Sequence, residues 1–296
     1  MHPRGPMLTF TNARPVHGAE VPLARGFPSA RVLVLAALLP LFLLLGANAR
    51  AEAPQPEAVR GLAPSGRLRA AINYGNIVLA SRSQTGELSG VSVDIATELG
   101  ARLGVPVDLV PFDTAGKVSA VAGQDVWDVA FLAIDPVRAG DIGFTSPYLL
   151  IEGTYAVPES STLRTIDDVD REGAQVAVGR GSAYDLFLTR KLKFASIRRA
   201  PTSEDAIKLF VEQKLDAVAG VRQPLEIFAR ENGGFRVIPG RFMAIEQAMG
   251  VPKGREEALR FLVAFIEELK TNGFVAEALV RHRQADAVVA PASPVP

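Results

Sequence analysis

Hydrophobic positions in this chain fall into short runs separated by polar, glycine- and proline-bearing breaks, with amphipathic stretches between the runs. Val129 to Ile134 is an apolar run too short for a helix and flanked by polar residues, which predicts a strand buried on both faces. Runs at Arg67–Ile72, Val107–Phe112, Ala174–Gly179 and Leu215–Gly220 predict further strands. Between them, Ile95, Leu99 and Leu103 share one face of a helix that Gly104 closes. Lys117–Ala122 and Ser182–Leu192 also read as helices. Thr165 with Asp168 forms a capping box, as does Thr202 with Asp205, the latter opening a helix whose inner face is Ala206, Ile207 and Phe210. Pro224 opens another helix at its first turn, and Leu259, Leu262, Val263 and Ile266 line one face of a longer one. Strands alternating with helices imply parallel sheets, which bind ligands at the carboxyl ends of their strands.

Several candidate residues fall at that edge. Asp135 and Pro136 end the Val129–Ile134 strand in a turn, so Arg138 emerges just past its carboxyl end. The first strand runs out into Asn73, Tyr74, Gly75 and Asn76 at the same edge. The turn from Gly179 through Gly181 to Ser182 opens a helix and aims free backbone N–H groups above the sheet, a ready anion site. It lacks the third glycine of a dinucleotide fingerprint, and no G-x-S-x-G elbow surrounds Ser182, which reads as a helix cap and not a nucleophile. "LDAVAG" in the second half echoes "WDVAF" in the first, an aspartate leading into an apolar strand, so two halves of similar topology are expected.

"DPVRAGDIGFTSPY" resembles the arginine block of type II periplasmic solute-binding proteins, in particular the polar amino-acid-binding family. "GELSGVSVDIATELGARLGVPVDLVPFD" resembles that family's lobe-opening block, and "VAVGRGSAYDLFL" the start of its second lobe. The resemblance spans Gly66 to Arg283. It implies an α/β, two-lobed clamshell, each lobe a mostly parallel sheet flanked by helices, joined by two crossing segments at Leu149–Val157 and Gly240–Gln247. Lobe 1 would be 66–150 plus 248–283, and lobe 2 would be 151–247. Arg138 would hold a ligand carboxylate by a forked pair of charge-assisted hydrogen bonds, with backbone N–H groups at Ser182 and Ala183 assisting from the opposite lobe. The partners implied are a small-molecule carboxylate and an inner-membrane ABC permease, with the chain acting as a monomer.

Composition narrows the function classes. The 32 basic side chains equal the 32 acidic ones, but residues 1–51 hold five arginines against Glu20 alone, leaving the remainder mildly acidic. That argues against a nucleic-acid surface. Val32–Leu45, preceded by Arg31 and followed by Ala47-Asn48-Ala49, fits a signal-peptide core better than a membrane span. Cleavage would place the protein in the periplasm; retention would make it an anchor for a membrane-tethered sensor. With no cysteine, neither a lipid-modified cysteine nor a disulfide framework is expected. After cleavage His282 is the sole histidine, so no metal and no cofactor is expected. A linker at 52–65 and a disordered tail at 284–296 complete the expected organisation.

The departures from the family pattern bear on the ligand. The family places hydroxyls on the strand before the arginine, where this chain has Phe131 and Ala133, and an ammonium-binding aspartate after the "DAVxG" strand, where this chain has Val221. Two replacements are open: Glu246, reaching in from the return crossing, or a second anionic group on the ligand met by Arg180 and Arg222. The binding protein is expected to have no enzymatic activity. The alternative within the same fold, a cyclohexadienyl dehydratase-like enzyme, would need a carboxylic acid in the cleft, with Glu246 as its candidate.

Overall fold

The computed structural model describes residues 56–284 and 286–294. The signal region 1–51, with the apolar Val32–Leu45, lies outside the described residues. In chain order the elements are α1 (Pro56–Leu62), β1 (Leu68–Asn73), β2 (Ser81–Arg82), β3 (Leu88–Ser89), α2 (Val91–Leu103), β4 (Val107–Phe112), α3 (Ala115–Ala120), β5 (Val129–Ala133), β6 (Ile142–Phe144) and β7 (Leu149–Pro158). The second half adds β8 (Gln175–Gly179), α4 (Ala183–Lys191), β9 (Ser196–Ala200), α5 (Ser203–Glu212), β10 (Ala217–Val221), α6 (Arg222–Asn232), β11 (Phe235–Val237), β12 (Met243–Pro252), α7 (Glu256–Thr271), α8 (Phe274–Arg281) and β13 (Val288–Val289).

The fold is α/β, and its sheet repeats one motif twice. In the first half β4, β1 and β5 lie side by side, all parallel; in the second, β9, β8 and β10 do the same. Each triplet puts its first strand in the middle and its second and third on either flank. Between the triplets run β12 and β7, antiparallel to each other and to the strands they border. Leu149–Gly153 of β7 pairs with β12, and Gly153–Ala156 pairs with β10, so one strand belongs to both halves. β12 does the same in return, from β7 at Met243–Gln247 to β5 at Gln247–Gly250. These are the two expected crossings.

The aspartates of the echoed motif explain the repeat locally. Asp128 donates its backbone N–H to the Arg69 carbonyl at 2.9 Å and accepts the Arg69 N–H on its carboxylate at 3.0 Å. Asp216 makes the same pair of bonds to Gln175, at 3.2 and 2.9 Å. In each half the carboxylate extends the parallel ladder by one rung just before the strand begins, which fixes the register of third strand on first. Asp128 is fully buried and gathers Arg69 Nε and Nη2 at 2.9 Å and Arg255 Nη1 at 3.0 Å as well.

The helices follow the hydrophobic pattern. Ile95, Leu99 and Leu103 of α2 are buried, and Gly104 closes the helix in the left-handed conformation, its N–H on the Ala101 carbonyl. Thr202 caps α5 by accepting the Asp205 N–H at 3.0 Å. Asp168 accepts the N–H groups of Arg164 and Thr165, but its box opens only a single short turn, Asp167–Val169.

Both expected unstructured segments differ. The linker contains α1, because Ala58 and Leu62 bury against the body and Arg255 donates to the Gly61 carbonyl at 3.1 Å. Among the described tail residues, β13 adds to Leu149 and Leu150 of β7, burying Ala287 and Ala290. A buried ion pair anchors it, with Lys270 Nζ donating to the carbonyls of Pro147 (3.1 Å) and Pro291 (2.9 Å), and Glu267 accepting the Ser293 N–H at 2.9 Å. Its apolar Ala287–Ala290 core, not its proline content, decides the outcome.

Candidate functional site

A cavity opens where the carboxyl ends of both parallel triplets face each other. Its volume is about 70 Å³, several times what one water needs. From the first half come Asn73, Asn76, Asp113, Thr114, Phe131, Ala133 and Arg138, and from the second Arg180, Ser182, Ala183, Tyr184, Ser203, Ile207 and Val221, with Gln247 contributed by β12.

Arg138 is only 3% exposed. Asp135 positions it, accepting the Val137 N–H at 2.9 Å and so making the turn that the Asp-Pro pair foretold. The guanidinium donates from Nη1 to the Ala133 carbonyl and from Nη2 to the Gly181 carbonyl, both at 2.9 Å. Its Nε is buried without a hydrogen-bond partner among the described residues. Burial pushes the guanidinium down to about 10, against a smaller opposing effect of Asp135. It stays cationic at neutral pH, in a place where an anion is the natural complement.

The bond to Gly181 joins the two halves, and two other contacts do the same. Arg190 of α4 holds Asp135 at 2.7 Å. Gly181 sits at φ 70, and a Cβ built there would stand 2.8 Å from the Gly116 Cα. Only paired glycines allow this approach. Gly181→Ala is therefore expected to hold the rims apart, the left-handed backbone alone costing about 1–2 kcal/mol with a side chain. Small-angle scattering should show an expanded particle, and an unaltered profile would count against Gly116–Gly181 as the closing contact.

Of the sequence-predicted site residues, Asn73, Asn76, Phe131, Ala133, Arg138, Ser182, Ala183 and Val221 line the cavity. Four do not. Tyr74 continues the β1 ladder, its N–H on Phe112, which turns its ring away from Asn73 and under Arg82, 5.6 Å from the ring centre. Gly181 forms the rim contact and gives its N–H to Asp185 at 2.8 Å. Arg222 is drawn to the crossing strand, bonding Glu152 at 2.6 Å and the Gly240 carbonyl at 2.5 Å, so it meets no second ligand anion. Glu246 is exposed; on β12 Ile245 and Gln247 face the cavity, and strand alternation sends the residue between them the other way. It is neither an ammonium partner nor an acid in the cleft.

The backbone donors also differ from expectation. Ser182 caps α4 through its hydroxyl, accepting the Asp185 N–H at 3.0 Å, while its own N–H donates to Gly179 at 3.1 Å. That leaves Ala183, at the first position of α4, to offer an N–H. Arg180 does line the cavity. Among residues that the sequence reading missed, Tyr184 donates to Ser203 Oγ at 2.6 Å, and burial holds its phenol above the usual range, so it stays a neutral donor. Asp113 is the acidic residue on the wall, and Lys117 holds its Oδ2 at 2.6 Å. Asp113, Thr114 and Ser203 follow the ends of β4 and β9, where the strand-end rule applied to β1, β5 and β8 would have found them.

Two topologically alike halves, joined by a pair of crossing strands around one cavity, define the fold of the two-lobed periplasmic binding proteins. The chain belongs to the bacterial extracellular solute-binding proteins, family 3, whose model matches residues 68–284. It is 24% identical over 193 residues to the L-cystine-binding protein TcyJ of Escherichia coli (strain K12), covering 64% of this chain and 71% of that protein. It is 26% identical over 185 residues to the cyclohexadienyl dehydratase of Pseudomonas aeruginosa, covering 61% and 67%. Among solved structures it shares the fold of the solute receptor for L-cysteine of Neisseria gonorrhoeae (TM-score 0.67, 20% identity, 76% of this chain and 92% of that one). The same holds for a mutant of ArgBP from T. maritima (TM-score 0.66, 21% identity, 76% and 99%).

Proposed function

We propose that this protein is the exported, non-enzymatic capture component of an ABC importer, taking a small carboxylate solute of the amino-acid class between two lobes and delivering it to a membrane permease. The carrying observation is Arg138, a buried cation at the cavity wall whose fixed partners are two neutral carbonyls. The relatives named for binding L-cystine and L-cysteine support the amino-acid class. The lobes are 66–150 with 248–283, and 151–247, and bending at β7 and β12 opens the cleft. With Glu246 outside the cavity, a dehydratase reading would have to use Asp113, the carboxylate on the wall, whose Oδ2 Lys117 holds at 2.6 Å.

A thermal-shift screen over amino acids, dicarboxylates and aromatic acids tests this. A ligand that binds only the folded state stabilises it by about 2.7 kcal/mol at a hundred times its Kd, so one carboxylate class should raise the melting temperature. Stabilisation by uncharged solutes alone would refute the reading.

A further inference from the structure

Gln247 is 3% exposed and stands on the cavity wall. On β12 it lies opposite Ala133 of β5, the residue whose carbonyl takes Arg138 Nη1. Opposed residues of an antiparallel pair have Cα atoms about 4.5–5.5 Å apart, so the amide and the guanidinium share one end of the cavity. The Gln247 backbone is committed to the sheet, its carbonyl accepting the Tyr148 N–H at 2.8 Å. Its side-chain Oε1 is buried without a partner among the described residues, and so is Arg138 Nε.

A buried polar atom without a partner calls for an explanation. Here a neutral acceptor and a cationic donor, side by side, complement a carboxylate with a hydrogen-bond donor on the neighbouring carbon. The acidic group on the wall, Asp113, is already held by Lys117, which donates to its Oδ2 at 2.6 Å, while its Oδ1 is also buried without a partner among the described residues. Arg180 and Ser182 flank Gly181, which Arg138 bonds, and Phe131, Val221, Leu225 and Ile245 supply the apolar part of the wall.

We propose that Gln247 receives the C2 substituent of the ligand, and that the site takes apolar 2-hydroxy carboxylates as readily as the matching 2-amino carboxylates. The inference rests on the binding function above. A carboxylate at position 221 would single out an ammonium, since charge-assisted bonds are roughly twice as strong as neutral ones. A neutral amide oxygen accepts from either group, and the ammonium has more hydration to lose on entering a closed, largely apolar cleft.

The test is calorimetric titration of the purified protein with leucine, 2-hydroxy-4-methylpentanoate and 4-methylpentanoate, which share one side group and differ only at C2. The wild type should bind the first two within about tenfold of each other, and Gln247→Leu should weaken both about tenfold, the loss of one buried hydrogen bond. The same variant should leave 4-methylpentanoate unchanged. Should it fail to fold, Gln247→Met, unbranched and neutral, replaces it with the same expectations. A wild-type preference for leucine beyond a hundredfold, or equal losses for all three probes, overturns the proposal while binding that still depends on Arg138 preserves the functional reading. No binding of any probe overturns the proposal, and binding indifferent to Arg138→Ala overturns the functional reading with it.

Discussion

Arg138→Ala is expected to weaken carboxylate binding by about 2–5 kcal/mol while leaving the protein folded. The fold should tolerate the change because the guanidinium is a buried charge with two neutral carbonyls as partners, those of Ala133 and Gly181, and removing it relieves a desolvation cost. Lysine should rescue poorly, since a point charge cannot reproduce the fork. The pH dependence has a definite sign. Burial sets the guanidinium at about 10, so wild-type binding should persist at neutral pH and fall as pH rises through that value, with bound carboxylate moving the transition upward. Calorimetry at a series of pH values checks both points; unchanged affinity in the alanine variant would remove the basis of the site.

Asp128→Ala should be the more damaging substitution for stability, by about 3–5 kcal/mol. The carboxylate is fully buried, and its removal leaves two guanidiniums, each about three-quarters buried, with Asp125 as their remaining carboxylate, 2.6 Å from Arg69 and 3.9 Å from Arg255, and deletes the rung between β1 and the start of β5. Asp216, its counterpart in the second half, is 36% exposed, and the nearest guanidinium, that of Arg171, stands 3.9 Å away. Asp216→Ala should therefore cost clearly less, about 1 kcal/mol for one hydrogen bond. Urea denaturation of the two variants side by side decides the matter, and equal losses would show that burial of the ion cluster contributes nothing beyond the ladder bond.

Much of the scaffold was legible because its causes are local. Val129–Ile134 had to be a buried strand because the run is apolar throughout, while Asp135-Pro136 had to turn the chain and Thr202 and Ser182 had to cap helices through contacts within four residues. The echo of "WDVAF" in "LDAVAG" even carried the doubled topology, since each aspartate makes the same ladder bond. What the cavity contains was decided at longer range. Alternation along β12 selects Gln247 over Glu246, and nothing in "AIEQAMGV" says which parity faces in until β5 and β7 pair with it. Arg222 follows a strand end like Arg138, yet Glu152, 70 residues earlier, claims it. The tail looked disordered by composition, and an ion pair in α7 with a free edge on β7 ordered it. Local chemistry sets where strands stop and helices begin, whereas the direction of a side chain at a sheet edge depends on partners brought there only by the completed fold.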